Sequence, residues 1–181
     1  MACNPTLTGI SFDCTDLGIG GLTKVYIANK EDLANIVSVT GSTVSIAPTT
    51  STLVGDGDAV EIDFNLKDGF SVFSEVKTVT ADGTTNVVPT ISIEIPKMTA
   101  AHRNELEEIS KAGAELVAFV ETAAGTHHLV GWDYGLYAST VDATSGTGRS
   151  EKNRYQITFT GEEDSLSLDI PAGTGGWDEV A

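Results

Sequence analysis

Basic residues are scarce in this chain: ten Lys and Arg stand against 26 Asp and Glu in 181 residues, a formal net charge of −16. That balance sets up a negative field that repels phosphate at long range, which excludes a conventional DNA- or RNA-binding surface. Cysteine is almost absent as well. Cys3 and Cys14 lie close together near the N-terminus and are free to pair. Two thiols make neither a disulfide framework nor a four-ligand zinc site, and reduced structural thiols are the simpler reading. Long apolar runs are missing too, because charges or glycines interrupt every stretch before the ~18 residues that a membrane span needs. The opening MACNPTLTG lacks the basic-then-apolar order of a signal peptide, so the expectation is a chain made in a cytoplasm, with no membrane span. What is present is an ordinary share of apolar residues, 40% hydrophobic against 20% charged. That is enough for one folded domain with a real core, and it argues against a disordered acidic tail.

The apolar residues are laid out with the period of strands. Val60, Ile62, Phe64 and Leu66 alternate with Glu61, Asp63, Asn65 and Lys67, which predicts a strand with one dry face and one wet face. Asp68-Gly69 opens a run over residues 70–79, and Asp82-Gly83 is a turn signal leading into residues 87–95, where Ile91, Ile93 and Ile95 oppose Ser92 and Glu94. Pro96 stops that strand. Thr99 then caps a predicted helix over residues 99–112, ending at Gly113, with His102, Leu106 and Ile109 on one face and charges on the rest. So narrow a stripe suits a helix lying on a sheet. Further strands are expected over 116–120, 127–137, 154–160 and 166–170, separated by Gly/Thr/Ser-rich loops. The fold class is mainly β: an antiparallel barrel or sandwich over residues 1–171 with an N-terminal extension and one flanking helix. Residues 172–181 read as an exposed tail whose Trp177 docks on a neighbouring subunit.

No motif of enzymatic chemistry is present, and no cofactor or metal is expected. His127 and His128 are adjacent and point to opposite faces of a regular strand, so they cannot chelate one ion. Asp56-Gly57-Asp58 with Glu61 hints at a calcium loop but lacks EF-hand spacing. The acids Glu162, Glu163 and Asp164 read as solvated turn residues, and Gly146-Thr147-Gly148 has no Lys-Ser or Lys-Thr after it to make a phosphate loop. Two polar stretches, 38–51 and 142–150, are candidate intersubunit arms, represented by Ser42, Val44 and Thr147, or else plain linkers. Trp132, Tyr134 and Tyr137 offer the alternative of a sugar-stacking platform on a β-sandwich.

Three segments carry a family resemblance: residues 20–29 (GGLTKVYIAN), 131–136 (GWDYGL) and 155–163 (YQITFTGEE). With the Cys3 and Cys14 pair ahead of the Gly-Gly strand and a central helix holding Glu105 and Leu106, the chain resembles phage major tail tube proteins over most of its length. The resemblance implies a virion protein, assembled in the host cytoplasm, that forms hexameric rings stacked into a hollow tube for DNA. Its expected partners are its own copies, other tail or neck proteins, and passing DNA without specific binding. Neck rings, tail terminators and injection tubes share such folds and are the alternatives. An acidic wall would let DNA slide without sticking, and Glu61, Asp63, Glu75 and Glu94 are the candidate lumen-facing acids; an outer solvated face explains the same residues equally well.

Overall fold

The computed structural model describes residues 20–47, 53–62, 64, 71–148, 151–173 and 175–181. Cys3, Cys14 and Asp63 lie outside the described residues, as do Leu66 and most of the run that precedes Val72. Among the described residues eleven strands form one connected sheet that does not close into a barrel: nine lie along a single path and two branch from it. The fold is mainly β and sandwich-like, so of the two expected architectures the sandwich is the one formed.

The path bends between two wings. The long wing runs β4 (Ala59–Glu61), β1 (Leu22–Asn29), β7 (Leu116–Thr122), β8 (His127–Val130), β11 (Leu168–Asp169), β3 (Thr43–Ile46) and β2 (Val37–Thr40). The short wing runs β9 (Leu136–Thr144), β10 (Arg154–Gly161), β6 (Thr85–Pro96) and β5 (Val72–Val79). Leu116 opposite Leu136 is the single register pair that joins β7 to β9. Pairing is antiparallel except between β3 and β11, where Thr43 meets Asp169 in parallel, so the sheet is mixed and not purely antiparallel.

Two apolar cores follow from the pleat. Val25 and Ile27 of β1, with Leu116, Ala118 and Val120 of β7, face the short wing and pack on Ile91, Ile93, Tyr155, Ile157 and Phe159. The intervening Tyr26, Ala28, Val117 and Phe119 point the other way, into a second core with Leu33, Val44, Ile46, Leu129, Trp177 and Val180. β1 and β7 are thus buried on both faces, which is why Leu-Val-Ala-Phe-Val at 116–120 shows no polar alternation. Full burial of one such side chain contributes about 1.5–3 kcal/mol, so this doubly covered pair is the centre of stability.

The helix α3 (Ala100–Ile109) forms as expected: the Thr99 hydroxyl accepts the N–H of His102 at 3.2 Å, Leu106 is buried, and His102 and Ile109 are half-buried. Its last helical residue is four short of Gly113. Two further helices, α1 (Lys30–Leu33) and α2 (Leu53–Asp56), are single turns that deliver Leu33 and Leu53 to the second core. They are too short to leave a period in the sequence.

Several expectations need correction. The segment 172–181 is not an exposed tail: Trp177 is 6% exposed, its ring lies 4.4 Å from that of His127 in a stacked pair, and it tilts against Tyr26 at 5.5 Å. Val180 is fully buried, because the segment closes the open side of the second core. The predicted strand over 127–137 breaks at residues 131–135, where Gly131 (φ 84°) and Gly135 (φ 86°) turn the chain from the long wing to the short one. A Cβ on Gly131 would meet Leu136 Cγ at 2.6 Å, so only glycine fits that corner. Of the strand predicted from Val60, the pairing covers Ala59–Glu61; Ile62 is buried and Phe64 packs on the first core, but Val60 is 48% exposed because it lies at the open margin beside α3.

Candidate assembly surface

The three candidate lumen acids among the described residues, Glu61, Glu75 and Glu94, do not share a face. Glu61 pairs with Tyr26 on the long wing and is exposed. Glu75 opposes Pro89 on the inward side of the short wing, where its carboxylate accepts the Ser167 N–H at 2.8 Å and the Ser167 hydroxyl at 2.9 Å. Glu94 opposes Gln156 on the outward side of that wing, yet it is 1% exposed. Lys152 reaches one of its oxygens at 3.2 Å and Arg154 the other, so Glu94 is the anion of a buried ion cluster and not a solvent-facing charge. A carboxylate can stay in that position because two cations replace the water it lost.

The candidate contact residues divide in the same way. Ser42 sits exposed in the two-residue turn Gly41-Ser42 between β2 and β3, and Thr147 is exposed in a loop where Glu151 accepts from its N–H and hydroxyl. Val44 and Trp177 are core residues and have no surface to offer. Residues 38–46 do form a hairpin at the edge of the long wing, while Asp142, Ala143 and Thr144 belong to β9 and so are not loop.

Glu163 also departs from the solvated turn expected of it. It is buried, pairs its backbone with Val87 in both directions at 2.8 Å, and its carboxylate accepts the N–H groups of Asp133 (2.9 Å) and Tyr134 (3.3 Å). Burial raises its pKa above the usual glutamate range, and the two backbone donors oppose that shift. Glu163 therefore pins the 131–135 crossover to the short wing, and Asp164 adds a bond from the Tyr134 hydroxyl at 3.1 Å. The supposed aromatic platform is dispersed, since Trp132 packs toward the second core and Tyr134 lies in the crossover, not on a strand. His127 and His128 do face opposite ways: His127 stacks on Trp177, whereas His128 Nδ1 lies 3.3 Å from the Asp169 carboxylate and its ring faces Phe73. Among the described residues no three His, Cys, Asp or Glu side chains converge to hold a metal ion, and no helix is long and apolar enough to cross a membrane.

What the fold leaves unsatisfied is strand edge. β5 ends the short wing on one side, and β9 ends it on the other beyond its single pair with β7. Among the described residues no strand pairs along the outer side of β5 or along β9 from Tyr137 to Thr144. Val72, Val76 and Val79 of β5 are exposed, at 46%, 62% and 65%, as are Tyr137 and Val141 of β9. Sequence reading missed these edges because β5 and β9 look like ordinary half-buried strands until the strand order is known. No protein-family model, no curated protein and no solved structure matches the chain.

Proposed function

We propose that this protein is a structural subunit that joins its own copies edge to edge into rings, in the manner of a phage tail tube. The observation that supports this reading is the pair of long edges on one four-stranded wing, β9-β10-β6-β5, that no strand among the described residues pairs. Long, apolar, unpaired edges template association, and proteins that remain single usually blunt them with charge, proline or a covering element. β5 carries three exposed valines beside a single exposed charge, Lys77.

Parity supplies the geometry. Each neighbouring pair in the wing is antiparallel, so β9 and β5 run in opposite directions across four strands. A second copy rotated about one axis therefore brings its β9 antiparallel to the first copy's β5, and the contact repeats. This interface is heterologous, and repetition closes it into a ring when the rotation divides the circle. A neck ring or a tail terminator would form by the same contact without stacking, and the image of the particle separates those roles.

The test is negative-stain microscopy and light scattering of the purified protein over a concentration series, beside a Val76→Lys variant. Rings or hollow tubes that appear with concentration, and that the edge lysine abolishes without lowering the melting temperature, support the reading. A particle that stays monomeric at every concentration, or rings indifferent to Val76→Lys, would sink it.

A further inference from the structure

The outward face of the short wing is almost bare of charge, in a chain with 26 acids. The strand register places Tyr137, Thr160, Thr90 and Ser74 in one row across the four strands, and Thr140, Thr158, Ser92 and Val72 in the next. Neither row contains an Asp, Glu, His, Lys or Arg. The hydroxyls are held in place: Ser92 Oγ and Thr158 Oγ1 lie 3.2 Å apart, and the Thr160 hydroxyl donates to the Pro89 carbonyl at 3.1 Å. Beyond these rows lie Val88, Val76, Asn86 and Thr78 on one side. On the other side, the charges Asp142, Glu94 and Arg154 gather at one end, where Glu94 is neutralised by Arg154 and Lys152.

We infer that this neutral hydroxyl face, and not an acidic one, is the wall of the channel, and that it is suited to the passage of a polyanion. The inference rests on the ring reading above. Four strands spaced by about 4.8 Å give each copy ~19 Å of arc, so a ring of six copies, the number the tail-tube resemblance implies, would enclose a bore of roughly 37 Å between backbones. Packed sheets lie about 10 Å apart, and each copy carries the long wing, and then the elements covering the second core, on the opposite face of the short wing. Two such layers, roughly 20 Å deep, exceed the ~18 Å radius and cannot lie inside, so the hydroxyl face must. Fixed cations there would hold phosphates and release counterions, with affinity growing by each contact. A dense acidic lining would raise the barrier to entry. Hydroxyls do neither, while the acids of α3 (Glu105, Glu107 and Glu108) and of the long wing (Glu61) stay outside.

Cysteine accessibility tests it in a Cys3→Ser/Cys14→Ser background. Thr158→Cys and, independently, Thr140→Cys report the wall, and Ser38→Cys on β2 reports the exterior. In stacked rings both wall positions should react with a small maleimide but at least tenfold more slowly with a bulky polymer-linked maleimide than in the dispersed protein, whereas Ser38→Cys should react alike in both states. Rings in which the wall positions take the bulky reagent at the dispersed rate, or in which Ser38→Cys is the protected site, overturn the neutral wall and leave the ring reading standing. Absence of any ring overturns both.

Discussion

Replacing Glu94 by alanine removes a carboxylate that is 1% exposed and leaves Arg154 and Lys152 directed at the space it filled. Breaking a buried ion pair from one side costs about 3–5 kcal/mol, because the remaining charge keeps its desolvation and loses the attraction of the deleted group. Here the lower end applies: the Lys152 side chain is 40% exposed and turns to water, so the cost falls mainly on Arg154, whose side chain is 19% exposed. About 3 kcal/mol in a chain of 181 residues corresponds to a melting temperature lower by roughly 6–12 °C. Glu94→Gln keeps an acceptor for only one of the two donors and turns its NH2 toward the other, so it should recover only part of that loss. Urea titration followed by circular dichroism measures both variants, at low salt and at about 0.5 M salt. A buried cluster is screened little, so the Glu94→Ala deficit should persist in salt, whereas that of an exposed pair would fade. A deficit under about 1 kcal/mol, or one that salt erases, would refute the account of Glu94 as a buried anion with two cations.

Trp177→Ala should cost about 3–5 kcal/mol, the usual penalty for deleting a large buried aromatic, and should make the C-terminal segment sensitive to protease, checked by limited proteolysis and mass spectrometry. Thr99→Ala should lose about 1 kcal/mol and speed amide exchange in the first turn of α3, since the His102 N–H loses its acceptor. Gly131→Ala should destabilise by more than about 1 kcal/mol by thermal melting, because a left-handed φ and contact with Leu136 both oppose a side chain there. For Glu163, whose pKa burial raises, the folded state holds the proton more tightly than the unfolded chain. Its contribution is therefore present at low pH and is lost as pH rises from the ordinary glutamate value of about 4.3 through the raised one. Melting curves should shift in favour of Glu163→Gln, relative to the wild type, as pH rises across that window; a shift the other way would show that the Asp133 and Tyr134 donors outweigh desolvation.

Local pattern by itself determined a good deal: the β class, the Ile91, Ile93 and Ile95 face, the Thr99 cap with its Leu106 stripe, and the opposite headings of His127 and His128. These depend on periods of two and 3.6 residues and on caps, which neighbours in sequence decide. Only the tertiary structure decided what each face meets. Glu94 alternates as a wet-side residue should, but its partners Arg154 and Lys152 arrive from about sixty residues away in sequence, so no local rule distinguishes it from a solvated acid. Trp177 and Val180 looked like a free tail because the core they close is built from β1, β7 and β8, whose second buried face becomes evident only once both sides are covered. The free edges of β5 and β9 were invisible for the same reason. A strand's composition records burial of its faces, while the pairing of its edges is a property of strand order, and strand order is set by long-range packing.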